Sequence, residues 1–174
     1  MERVLSGRIN LPEIRQAAVW ASCSPANRST LWALARQGDR QTSLNALWAM
    51  AHLPEADAEW LMSVRDEMID MLLSETDTSK KRILLKLLRE QEYHAEDIRT
   101  DFLDYCLSKI NAECETYAVR GYCIYTAYKM CSNFPELTAE LETHLELMHS
   151  QTLSPGLKSA LKQTMNKIMK LKRL

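Results

Sequence analysis

Glycine and proline are scarce, with four and five copies in 174 residues. Sheet proteins need many tight turns, and tight turns draw on these two residues. Their scarcity argues against a β-rich chain and for long helices with short connectors. No run of about 18 apolar residues occurs, so no membrane-spanning helix is expected. Met1 to Asn10 contains no continuous apolar core of the secretory-signal kind. Neither charge sign is in excess: 22 basic and 23 acidic side chains give a formal net charge of -1. That balance excludes wholesale coating of nucleic acid or anionic membrane and leaves local patches open.

Catalytic signatures are missing too. The chain has no G-x-S-x-G, P-loop, G-x-G-x-x-G or H-E-x-x-H motif and no recognisable Ser–His–Asp arrangement. Gly7, Gly38, Gly121 and Gly156 stand isolated, so no phosphate-cradling loop can form. Five cysteines, Cys23, Cys106, Cys114, Cys123 and Cys131, are an odd number without a disulfide framework, which places the chain in a reducing cytoplasm. The last four sit eight or nine residues apart on helices, not in the tight knuckle of a zinc site, and are expected as buried free thiols. His52, His94, His144 and His149 share no ligand spacing. The expectation is a non-enzyme with no metal and no cofactor.

What is abundant is helix formers: Leu, Ala, Glu, Lys, Met and Arg. Apolar residues recur at helical spacing over most of the length, and about nine helices are predicted. Ser24-Pro25, Gly38-Asp39, Pro54, Glu75 to Ser79, His94 to Glu96, Asn111 to Glu113, Asn133 to Pro135 and Ser154-Pro155 separate them. Residues 56–74 read as one continuous helix. No connector is long enough to be a linker, so a single domain over residues 1–174 is predicted. Trp20, Trp32, Trp48 and Trp60 fall on apolar stripes and are assigned to the core.

A repeat underlies this order. The apolar doublets Leu47-Trp48, Leu87-Leu88 and Ile124-Tyr125, then Leu161 with Met165, recur at intervals of roughly 40 residues, close to the period of HEAT and armadillo units. One helix pair cannot cover its own apolar stripe, and stacking the next pair on it does. Around these repeats, Asp101-Phe-Leu-Asp-Tyr-Cys-Leu, Glu115-Thr-Tyr-Ala-Val-Arg-Gly-Tyr, Phe134-Pro-Glu-Leu and Gly156-Leu-Lys-Ser-Ala-Leu-Lys resemble short bacterial HEAT-like helical-repeat proteins. The resemblance implies an all-α fold, a right-handed α-α superhelix (HEAT/armadillo-like solenoid) of about four helix pairs plus a leading helix. Some proteins of this kind bear the name adenylosuccinate lyase. That superfamily needs a Gly- and Ser-rich loop holding a catalytic serine, which this sequence lacks, so the fold carries over and the activity does not.

Charge separates two layers of helices, one acidic and the other neutral to basic. Residues 55–77 carry eight acidic side chains against one basic, whereas residues 78–93 carry five basic against two acidic, and residues 152–174 carry six basic and no acidic ones. In a stacked solenoid the second helices line the concave side, which is therefore expected to be electropositive. Arg82, Lys86 and Arg89 follow one row at i, i+4 and i+7, with Tyr93 extending it, and Lys158 and Lys162 form a matching step on the last helix. Tyr117, Tyr125 and Tyr128 are placed on the side of their helix away from Val119, Tyr122 and Cys123, either buried or offered to a partner. The predicted function is a non-catalytic protein–protein interaction scaffold whose concave face takes an unknown, acidic protein partner. The alternative is a module binding nucleic-acid backbone phosphates through Arg82, Lys86, Arg89, Lys158 and Lys162, as HEAT-like DNA alkylation-repair proteins do with their basic face.

Overall fold

The computed structural model describes residues 1–173, apart from the side chain of residue 97. Its regular elements are all helical. In order they are α1 (Glu2–Leu5), α2 (Leu11–Ser22), α3 (Pro25–Gln37), α4 (Arg40–Met50), α5 (Ala58–Ser63), α6 (Arg65–Ser74), α7 (Thr78–Glu90), α8 (Thr100–Ile110), α9 (Tyr117–Cys131), α10 (Pro135–Leu147) and α11 (Pro155–Leu171). Single 3₁₀ turns precede α5 and α8 and follow α10. The helices α4, α7, α9 and α11 begin at residues 40, 78, 117 and 155, which are 38, 39 and 38 residues apart. The repeat expected from the apolar doublets is therefore present in the backbone.

Local chemistry sets these boundaries. Asn10 and Glu13 form a reciprocal capping box at α2, and the hydroxyls of Ser24, Thr116 and Ser154 cap α3, α9 and α11. Pro12, Pro25, Pro135 and Pro155 stand in first turns, where a missing N–H costs nothing. Gly38 joins α3 to α4 at extended φ, and its backbone N–H reaches Leu34 O at 3.1 Å. A Cβ there would lie 2.6 Å from Leu34 O and 2.9 Å from Thr42 Cγ2. The close approach of chain to chain is what requires glycine.

The helix predicted over residues 56–74 is broken. Val64 (φ -104°, ψ 10°) leaves helical geometry between α5 and α6; α6 buries Met68, Ile69 and Leu72, whereas no residue of α5 is fully buried. The structure also adds the short α1, which no periodicity signals.

The chain divides into two compact units, residues 1–87 and 88–174. In the first, α4 packs against α1, α2 and α3. It is consequently buried on nearly all sides, polar residues included. Ser43 donates to Ala35 O, and Asn45 donates to Leu5 O at 2.7 Å and to Gly7 O at 3.0 Å. These bonds are what allow polar side chains to sit in that core. Trp32 is buried, while Trp20, Trp48 and Trp60 are only half-buried. A part-buried ion pair, Arg28–Asp57 at 2.8 Å, and the surface pairs Arg36–Glu67 and Arg40–Asp77 tie α3 and α4 to the acidic segment that follows.

In the second unit α8 and α9 form one hairpin and α10 and α11 the next. First helix rests on first helix (α8 with α10) and second on second (α9 with α11). The shared core contains Phe102, Cys106, Ile110, Ile124, Leu141, Leu145 and Ile168, all fully buried. This is the nearest-neighbour stacking by which helical repeats cover one another's apolar faces.

Candidate functional site: a tyrosine and cation face beside a basic-rimmed groove

The helix α9 is apolar on both sides. Val119, Cys123, Ile124, Ala127 and Met130 are buried, together with Arg120. The remaining stripe holds Tyr122, Tyr125 and Tyr128, all half-buried, and Tyr117, which is 55% exposed. Tyr122 thus joins the other tyrosines instead of opposing them. A three-residue step turns a helix by about 300°, leaving Tyr122 and Tyr125 only about 60° apart.

Both rings lie under one cation. The Arg89 guanidinium is 4.6 Å from the Tyr125 ring centre and 5.6 Å from that of Tyr122. From α11, Lys167 Nζ lies 5.3 Å from the Tyr128 ring centre. Each such contact contributes about 0.5–1 kcal/mol at an exposed site. Lys129 donates to Gln91 O at 2.7 Å and pairs with Glu92 at 3.3 Å. Burial pushes the Tyr128 hydroxyl above its ordinary pKa, so the ring stays neutral. The result is a ledge of aromatic rings bordered by cations.

The predicted row separates. Arg82 is exposed and Lys86 half-buried, both on the part of α7 that belongs to the first unit. Arg89 is in the second unit, stacked on the tyrosines. Tyr93 does not extend the row and is no surface residue. It is 6% exposed, its hydroxyl donates to Leu88 O at 2.9 Å, and its ring centre lies 6.4 Å from that of Phe102. The reason is that α7 ends at Glu90, so helical spacing no longer applies three residues later and the chain turns the ring inward.

Lys158 and Lys162 are exposed on α11 as expected, but they do not face the tyrosines. Lys167, which does, is nine residues from Lys158 and about 180° round the helix. Lys158 and Lys162 instead border a groove of ≈ 460 Å³ between α11 and the segment that leads into it. Its walls are Met148, Leu153, Leu161 and Met165.

A buried polar network holds that leading segment. Arg120 is 2% exposed. Its Nε donates to Ile110 O at 2.8 Å, and its terminal nitrogen donates to Gln151 Oε1. Gln151 in turn donates to Asn111 Oδ1 at 3.0 Å, and Asn111 donates to His144 O at 2.9 Å. The C-terminal carbonyl end of α8 is a favourable place for a cation. The sequence marks Arg120 only as one arginine on a largely apolar helix.

Among the described residues, no three His, Cys, Asp or Glu side chains come together in a metal-binding group, and no helix is long and apolar enough to cross a membrane. Cys106, Cys123 and Cys131 are buried free thiols, while Cys23 and Cys114 are exposed. Burial, then the neighbouring Cys123, pushes the Cys106 thiol well up, and burial followed by Glu140 pushes Cys131 up to about 12. Thiols of this kind stay protonated and unreactive.

Comparison with known proteins agrees with the architecture. The HEAT repeat domain family matches residues 1–168. No curated protein and no solved structure matches the chain. Helices that begin every 38 or 39 residues, under a family match that runs almost from end to end, make this chain a member of the HEAT repeat family.

Proposed function

We propose that this protein is a non-catalytic scaffold that docks an acidic protein partner on the tyrosine and cation face of its second unit. The observation that carries the reading is the placement of Arg89 over Tyr122 and Tyr125 and of Lys167 over Tyr128. Tyrosine and arginine are the residues most enriched where binding energy concentrates, because they combine large contact area with hydrogen-bonding tips. The cations already rest on rings, so little side-chain freedom remains to be lost when a carboxylate arrives. The neighbouring α11 has four lysines and no acidic residue, which favours acidic partners and repels basic ones.

The test is capture of partners from the native cell with wild-type protein and with an Arg89→Glu/Lys167→Glu variant. Lys167 is exposed, and Arg89 is half-buried with its guanidinium on tyrosine rings and not in the apolar core, so the variant should fold. The expected result is loss of specific partners at unchanged helix content. An unchanged partner set refutes the reading. Salt-sensitive retention of generic duplex DNA, abolished by the same variant, would transfer this face to backbone phosphates.

A further inference from the structure

We infer that the groove bordered by Lys158 and Lys162 is a separate anchor site, which takes a large apolar side chain of an acidic peptide segment. The inference rests on the interaction reading above and names a second surface and the chemistry it recognises. The groove is apolar along its walls, with Met148, Leu153, Leu161 and Met165, and cationic at its border. None of the residues lining it is a carboxylate. Charge complementarity therefore selects the occupant: an apolar anchor flanked by Asp or Glu, whose carboxylates reach the two ammonium groups while the anchor fills the trough.

Two further features support a binding site over a surface irregularity. The volume, ≈ 460 Å³, lies in the range of ligand clefts, roughly 300–1,000 Å³. The wall is also held in place before anything binds, because Gln151, at its edge, is fixed by Arg120 and Asn111. A pre-ordered wall reduces the entropy lost on binding. Methionine supplies adaptability on the opposite side. Met165 is half-buried in the groove, and Met169, one turn further along α11, is 44% exposed and extends the same apolar row. Unbranched thioether side chains reshape around varied anchors.

Selection of a displayed library of random 12-residue peptides against the full chain tests this. The expected winners carry a Leu, Phe, Met or Trp flanked by carboxylates. In fluorescence anisotropy their affinity should fall at least tenfold in a Lys158→Glu/Lys162→Glu variant, and a Met165→Lys variant should weaken them independently. With 13C-methyl methionine labelling, the Met148 and Met165 signals should move on binding while those of Met50 and Met68 stay fixed. An empty selection, winners that are basic or lack an apolar anchor, or affinity unchanged in both variants overturns the groove. Winners lost in Arg89→Glu and untouched by the lysine reversals also overturn it, while leaving the interaction reading intact. Conversely, groove binders that survive beside an unchanged partner set in Arg89→Glu/Lys167→Glu remove the tyrosine face and retain the groove. Displacement of the winners by duplex DNA through the same two lysines would reassign them to phosphates and overturn the peptide site.

Discussion

Replacing Arg120 with methionine separates a structural cation from a surface one. Methionine preserves the length of the aliphatic stem and removes the guanidinium. Two hydrogen bonds vanish, to Ile110 O and to Gln151 Oε1. Bonds to a charged donor contribute about 1.5–3 kcal/mol each, so the gross loss is about 3–6 kcal/mol. Against it stands relief of desolvation, because Arg120 is 2% exposed and no carboxylate pairs with it among the described residues. A buried charge without an acidic partner carries a penalty of several kcal/mol, part of which removal returns. The loss of about 3–6 kcal/mol already contains the cost of leaving the carbonyl and amide oxygens without a donor. The net destabilisation should be about 2–4 kcal/mol, or roughly 5–12 °C in Tm for a chain of this length. Urea unfolding followed by circular dichroism measures it, and hydrogen exchange at residues 148–153 should show the groove wall loosening first. Arg120→Lys, which keeps the charge without the planar fork, should recover less than half. A loss below about 0.5 kcal/mol in the methionine variant would refute the role given to this network, and with it the pre-ordered groove wall.

Gly38→Ala should destabilise by about 1–3 kcal/mol, the range for forcing an atom into a filled site, because the new Cβ meets Leu34 O at 2.6 Å; thermal melting indistinguishable from wild type would contradict that contact. Native protein should show two fast thiols, Cys23 and Cys114, in a disulfide-exchange assay, and all five after denaturation; rapid labelling of Cys106 or Cys131 in the native state would count against their burial. Acid should weaken the fold through Asp39, held below its ordinary value of 3.8 first by the Thr42 hydroxyl and then by the Thr42 and Gln41 amides, and through Asp101, lowered chiefly by Arg99. A depressed folded-state pKa gives stability that is fully present above the unfolded value and lost as pH falls through the lower folded value. The loss therefore begins below about pH 3.8, and Asp39→Asn, which can still cap α4 but cannot ionise, should flatten the acid limb of a urea-midpoint titration. An identical slope in that variant removes Asp39 from the account.

The second helices were legible because their apolar doublets repeat at a nearly constant interval and two of their starts carry Asp39 or Ser154-Pro155 as caps, whereas the Thr116 cap of α9 shows only in the structure. Stripe and cap are both local, so one strand of sequence contains them. The break at Val64 was hidden, since α5 and α6 continue one apolar pattern across it and no Gly or Pro marks the place. Tyr93 misled for a related reason: extrapolating the α7 row assumes a helix that has already ended at Glu90.

By itself the sequence determined the helical class, the repeat interval, most of the caps and the contrast between an acidic layer over residues 55–77, 95–111 and 135–150 and a neutral-to-basic one over the helices that follow them. Each follows from residue spacing and composition along a single element. Only the tertiary structure decided which cations meet rings and which border a groove. Lys158 and Lys167 share a basic helix, yet α9 packs against one flank of it, leaving the other beside Met148 and Leu153. Arg120 is likewise an ordinary arginine until the end of α8 and the loop at Gln151 close around it. Partners that lie tens of residues apart in the chain come together only through packing, and local periodicity contains no record of them.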